Sequence, residues 1–413
     1  GNSIESGGNY NTVVGDEAGT AITTGDNNVA IGYSAGAALT TGLSNILIGS
    51  NTGDALTTAS ENTAVGHFAM SNNVLGAKNV AIGTSTLSAT NPATAADMYN
   101  TAVGFSAGNA VTTGTQNTLI GGLAGDASQT GDANVAVGYL SFSSVATGDN
   151  NTAIGTRSMF SNTSGSENTG LGKDALYSNT VGAYNVAVGE GALYSNVDGS
   201  RSVAIGRLAL YTQDPASAVD MYNVGIGYDA GGKVTTGTEN NLIGGLAGDA
   251  LTTGSYNQVL GVAALTADTL GSRSVAIGHA ALYTQNFTTA TDAYNVAVGH
   301  NAGLAVTTGT NNVLIGGLAG DAITDADGNV AVGSLALSTN TVGSASVAVG
   351  YAALSTQNPS TATQMYNVAV GQNAGAAVTT GTRDTLIGGL AGDALTTGSF
   401  NVAVGYTSLG ATT

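Results

Sequence analysis

The sequence predicts an all-β, parallel β-solenoid, and three observations carry that expectation. A five-residue string typified by Ser202-Val203-Ala204-Ile205-Gly206 recurs along the chain, its glycine falling at 15, 32, 49, 66, 83, 104, 121, 138, 155, 172, 189, 206, 227, 244, 261, 278, 299, 316, 333, 350, 371, 388 and 405. The 23 copies are 17 residues apart except at four steps of 21: Gly83 to Gly104, Gly206 to Gly227, Gly278 to Gly299 and Gly350 to Gly371. Self-similarity at so short a period means stacked coils, each touching its neighbours. Finally, no apolar spacing of three and four persists, and the 63 glycines would each cost about 1 kcal/mol against Ala inside a helix.

Within one repeat the residue before the glycine is Val, Ile or Leu, and the residue two before that is Val or Thr except at Ile46, Asn241 and Gln258. Alternation puts these two on one face of a short strand, which is read as facing a thin core of Val, Ile, Ala and Leu. Asn stands four before the glycine in 19 copies, with Ser202, Ser274, Ser346 and Asp384 in the others. Stacking sets like above like, so Asn28, Asn45, Asn62 and Asn79, and later Asn185, Asn295 and Asn367, are expected to form a structural amide ladder. A second apolar patch, as in Ala175-Leu176-Tyr177 or Ala209-Leu210-Tyr211, predicts a second strand, and turns such as Thr112-Thr113-Gly114 close the coil. Two strands rising about 3.3 Å per residue make a flattened β-roll, and coils about 4.8 Å apart would stack into a rod on the order of 110 Å long.

The repeat makes residues 1–413 a single elongated domain, because length here measures coil number. Residues 1–206 are less regular, whereas 207–413 are built of 72-residue blocks of one long and three short coils. Pro92, Pro215 and Pro359, all the prolines present, lie in long coils, and Phe287 holds the corresponding place in the fourth. Proline cannot donate to a ladder, so these segments are expected to bulge outward, each closing on Tyr99, Tyr222, Tyr294 or Tyr366. These eight residues are the candidate ligand contacts, suited to saccharide; the plainer reading is an extended turn without a ligand.

Composition narrows the function. A net charge of −18 from 26 acidic and 8 basic residues argues against nucleic acid, which demands basic patches. Only 8% of residues are charged and 5% aromatic, so the core is thin and oligomerisation is expected to support it; three chains around one axis would bury an Ala/Leu face left open by the single roll. Cysteine is absent, which excludes disulfides and thiolate chemistry. No run of 18 apolar residues or signal peptide occurs and the chain opens inside a repeat, so it reads as a segment of a longer fibre protein, without membrane insertion. His67, His279 and His300 are read as surface residues, not metal ligands. The Gly-Gly-Leu-Ala-Gly-Asp strings differ in spacing from the calcium nonapeptide, so Asp126, Asp249, Asp321 and Asp393 are read as solvated turns, a cation site being the alternative. No phosphate loop, catalytic triad or carboxylate cluster emerges, so neither a cofactor nor an enzymatic activity is expected. Ice binding through pairs such as Thr307-Thr308, or action on polysaccharide, is a minor alternative.

At Asn-Val-Ala-Val-Gly and Ser-Val-Ala-Ile-Gly the chain resembles the head repeats of trimeric autotransporter adhesins, whose similar core lies in a left-handed parallel β-roll with three chains per head. The fuller unit from Asn185 to Asn196, Asn-Val-Ala-Val-Gly-Glu-Gly-Ala-Leu-Tyr-Ser-Asn, is also similar to repeats of trimeric phage tail fibres. The resemblance spans the chain and implies a left-handed homotrimeric fibre, on a virion tail or bacterial surface, that meets a host polysaccharide or protein receptor. It implies no catalytic residue. The coils here are longer than those of the adhesin heads, and the proline-bearing segments are not part of that pattern.

Overall fold

The computed structural model describes residues 8–144 and 147–410. Among them, 23 three-residue strands each end on the residue before a repeat glycine, from Thr12–Val14 through Val203–Ile205 to Val402–Val404, and no helix occurs. The contacts divide the chain into two units, one running to Arg201 and including Asp214–Val219, the other made of Ser202–Gln213 and the residues from Asp220 onward. Within each unit successive strands pair in parallel, residue for residue. Val29, Ala30 and Ile31 lie opposite Ile46, Leu47 and Ile48 in the first, and Val296, Ala297 and Val298 opposite Val313, Leu314 and Ile315 in the second. The protein is a parallel β-solenoid of 23 coils.

The strand faces are the reverse of the sequence expectation. The middle residue points inward and is fully buried, as at Ala30, Ala64, Ala204 and Ala297, whereas the flanking aliphatics point out: Ile82, Ile205 and Ile315 are 40%, 39% and 38% exposed. Across the interior stands a second column of small residues three after the glycine, among them Ala35, Ala107, Ala209 and Ala302, also fully buried. The interior between these columns accepts methyl groups, and the β-branched side chains go where there is room. The Ala/Leu face is therefore the core itself, and the Val/Ile face is the one left open.

The second strand is not formed. After each glycine the second and fourth residues take left-handed backbone conformations, φ 58° at Asp174 and 52° at Leu176 for example, and such alternation cannot extend. The segment runs instead as linked turns that still bond to the next coil, Leu176 N–H to Ala192 O at 3.0 Å and Ser178 N–H to Tyr194 O at 3.0 Å. Among the described residues, two-residue strands pair only beside long coils: Gly76–Ala77 with Ala96–Asp97, Gly271–Ser272 with Thr291–Asp292, and Gly343–Ser344 with Thr363–Gln364.

Core volume is conserved by two kinds of coil. In one, the fourth residue after the glycine is large (Leu176, Leu193, Leu282), the seventh is polar (Asn179, Asn196, Gln285), and all are buried. In the other, the fourth is glycine and the seventh aliphatic, as with Gly303 and Val306 or Gly320 and Ile323, Ser128 after Gly125 being an exception. The second kind makes room for a leucine in the strand centre. A Cβ on Gly303 would lie 2.8 Å from Leu314 Cδ1, and one on Gly320 2.7 Å from Leu314 Cδ2; Leu119, Leu242 and Leu386 are flanked by glycines in the same way. The glycine after the strand is required for another reason. Its φ lies between 125° and 155°, and within each unit, from Gly15 to Gly172 and from Gly206 to Gly388, a Cβ there would overlap the carbonyl of the equivalent glycine in the next coil.

The asparagine column joins one coil to the next through buried amides. Asn45 N–H donates to Asn28 Oδ1 at 2.9 Å, and Asn45 Nδ2 donates to Asn28 Oδ1 at 3.1 Å and to Ala59 O at 3.0 Å. Asn62 and Asn79 continue it. Asn185 Nδ2 reaches Gly199 O, Asn295 Nδ2 Gly309 O and Asn367 Nδ2 Gly381 O at 2.7 to 2.8 Å.

Candidate association surface

Because the strands are in register, their outward side chains form two columns in each unit: Val, Ile or Leu throughout at the third strand position, and mostly Val or Thr at the first, threonine being the commoner in the first unit and valine in the second. No Asp, Glu, Lys or Arg occupies either column in any of the 23 coils, although the chain carries 34 charged residues, 26 acidic and 8 basic. Partial exposure of Val, Ile and Leu down the third column, with the Val and Thr methyls of the first beside it, makes a continuous aliphatic strip, the feature that marks interaction surfaces on soluble proteins.

In the second unit, where the first column is otherwise Val with Thr at 385, the strip is interrupted by two amides. Asn241 and Gln258 stand on adjacent coils where neighbouring coils have Val224 and Val275. Asn241 Nδ2 donates to Gln258 Oε1 at 2.6 Å, which satisfies one group of each amide; Asn241 Oδ1 and the Gln258 amide protons make no hydrogen bond among the described residues, and Gln258 is exposed and Asn241 half-buried. A shallow hollow here is lined by Tyr222, Glu239, Asn241 and Gln258.

Beside the strip, five residues before each glycine, runs a corner column in the left-handed conformation, where aromatic and cationic side chains stack. Arg273 lies between Tyr256 and Tyr294, 4.8 and 5.8 Å from their ring centres, with Asp292 3.0 Å from its Nε. Arg383 lies between Tyr366 and Phe400 at 5.9 and 5.2 Å. Lys78 meets Tyr99 and Asp97, whose hydrogen bonds hold the ammonium well above its ordinary pKa. At exposed sites each cation–ring contact contributes about 0.5–1 kcal/mol.

The long-coil candidates divide into two sets. Tyr99, Tyr222, Tyr294 and Tyr366 are half-exposed, but Pro92, Pro215, Phe287 and Pro359 are buried, which corrects their reading as outward contacts. Pro359 packs over Gly343, where a Cβ would come within 3.1 Å of its Cδ. The added residues thus send an apolar side chain back under the turn while the segment around it is exposed.

Other sequence candidates take different places. His279 and His300 are exposed and stack at 5.3 Å, while His67 lies against Phe68. Among the described residues no group of three potential metal ligands occurs. The aspartates are not simply solvated: Asp126, Asp321 and Asp393 each bury one Oδ1 without a hydrogen-bond partner, and burial raises the carboxyls of Asp126 and Asp321. Asp249 accepts from Thr266 Oγ1. Phe160, Tyr177 and Tyr194, missed in the sequence reading, form a nearly parallel ring stack at 5.3 and 5.0 Å; their equal spacing five after the glycine is the signal that locates it.

Fold and surface together define a repeat protein with an uncovered, uncharged sheet face. No protein-family model and no curated protein matches the chain.

Proposed function

We propose that this chain is a shaft segment of a homotrimeric extracellular fibre that attaches to a host cell or surface, a phage tail fibre first and a trimeric bacterial surface adhesin otherwise. The observation that carries the reading is the aliphatic strip. A chain of net charge −18 repels its own copies except where it has no charge, and the strip is such a face. A second copy also matches it in repeat distance, which an unrelated partner does not. Three left-handed rolls around one axis, the arrangement the resemblance implies, would turn the strips inward and leave the corner columns and tyrosines outside. Attachment would then come from many weak contacts with a polysaccharide or protein receptor, multiplied by threefold symmetry. The repeated coils favour a structural role over an enzymatic one.

Light scattering on the purified segment tests the reading. The expected mass is three times 40.1 kDa, falling to one chain when Val313→Asp and Val330→Asp place charges in the strip, with the β-structure circular dichroism unchanged because both side chains point outward. A monomer of the unsubstituted segment at tens of micromolar would sink it.

A further inference from the structure

A uniform strip in a repeating molecule has a weakness: two copies shifted by one coil meet almost the same surface. In the second unit the first strand position is Val at 203, 224, 275, 296, 313, 330, 347, 368 and 402, with Thr at 385, so the aliphatic contacts distinguish one register poorly from the next. Thr385 keeps the shape of Val, so Asn241 and Gln258 are the two large polar side chains that break this sameness. We infer that this amide pair sets the axial register between copies of the chain, an inference that rests on the association proposed above.

The geometry gives the mechanism. The internal bond between the amides leaves Asn241 Oδ1 as a free acceptor and Gln258 Nε2 as a free donor, on neighbouring coils and at the strand position that faces out. Aligned parallel copies bring both amides of one chain to the level of both amides of the next, where every free group finds a partner. A shift of one coil sets Gln258 of one chain against Asn241 of the other but leaves the remaining amide of each facing the valine level. An amide pressed against Val in a closed interface is desolvated without a partner, which disfavours the shifted state. A single polar layer in an apolar coiled-coil seam fixes register by the same physics.

The absence of cysteine from the chain makes the test direct. Chains carrying Val296→Cys are refolded together with chains carrying Val313→Cys, the two distinguished by a mass tag, and oxidised. A disulfide tolerates Cα separations of about 4.4–6.8 Å, most often about 5.5–6 Å, and a shift of one coil, about 4.8 Å, carries a pair facing at that usual separation to more than about 7 Å. Aligned copies therefore join 296 to 296 and 313 to 313, while copies shifted by one coil join 296 to 313. With the amides intact the mixed product is expected below about a tenth of the total; with Asn241→Val and Gln258→Val it rises roughly tenfold while the oligomer mass is unchanged. Moving the pair by Val330→Asn and Val347→Gln in that background should suppress the mixed product again, which excludes a merely damaged fold. A mixed fraction equal in both backgrounds overturns the register role alone. A monomeric mass overturns the association and the inference with it.

Discussion

Asp384 occupies a position that the fold assigns to an amide. Its Oδ1 accepts from Asn401 N at 2.8 Å and Nδ2 at 2.9 Å, but Oδ2 is buried without a partner, because a carboxylate has no proton for the Gly398 carbonyl that an asparagine there would reach. Asp384→Asn should restore the donor and stabilise the fold by about 1–2 kcal/mol in urea unfolding; destabilisation would mean the column does not depend on amide donors. Asp268 is the same exchange in the column seven after the glycine, where Asn73 both accepts from Gly76 N and donates to Gly76 O. Burial pushes the Asp268 carboxyl above its ordinary 3.8, against opposing hydrogen bonds from Gln285 and the Gly271 N–H. A folded pKa above the unfolded one means stability is lost as pH rises from about 3.8 through the folded value. Asp268→Asn removes that loss, so its benefit should be present at pH 7 and vanish below about pH 3.8. A benefit independent of pH would refute the charge-burial account.

At the scale of the coil, leucine in the strand centre and glycine four after the repeat glycine are one packing decision. Gly303 has φ 60° and a Cβ there would also lie 3.0 Å from Leu282 Cδ2, so Gly303→Ala should cost about 2–3 kcal/mol from backbone strain and overpacking together. Leu314→Ala should cost about 3 kcal/mol as a cavity. The double variant should cost at least about 1 kcal/mol less than the sum, measured as a double-mutant cycle; strict additivity would show that the two do not share a volume. This coupling also explains what the sequence made legible. The strand positions were readable because period 17 marks Val203 to Ile205 and every equivalent triplet. The inward face was not, because large aliphatics ordinarily face a core and here Ile205 faces out. The restriction of Ala204, Ala297 and their equivalents to Ala or Gly in most coils, with Val at 13 and 259 and Leu where a glycine lies beside it, was the available clue: size is constrained where space is enclosed. The second strand was misread because Ala175-Leu176 is buried in a left-handed turn that hydrophobicity cannot distinguish from extended chain. The strip followed the same inversion, so its existence was legible only as a pattern of residues assigned to the wrong side.

For the whole molecule, a solenoid should tolerate removal of a complete coil, since each coil binds only its neighbours, but the coil kinds make that tolerance conditional. Deleting residues 173–189 joins Gly172 to Glu190 and replaces Ala175, Leu176 and Asn179 by Ala192, Leu193 and Asn196, a like-for-like exchange. The deletion removes the buried Asp174, which pairs with Arg157 at 2.8 Å, and the exposed pair of Lys173 with Glu190, but both cations are more than a third exposed and such pairs contribute little; Phe160 acquires Tyr194 as its stacking neighbour in place of Tyr177. Deleting residues 317–333 is equally in register, yet it removes Gly320 and brings Leu337 to the place where Leu314 needs a glycine. The first deletion should shift the thermal midpoint by no more than a few degrees. The second should lower it by clearly more, the overpacked leucine pair costing about 1–3 kcal/mol, and Leu337→Gly in that shortened chain should recover part of the loss. Equal midpoints for the two deletions would mean that period alone governs stacking and that the alternation of coil kinds carries no energy.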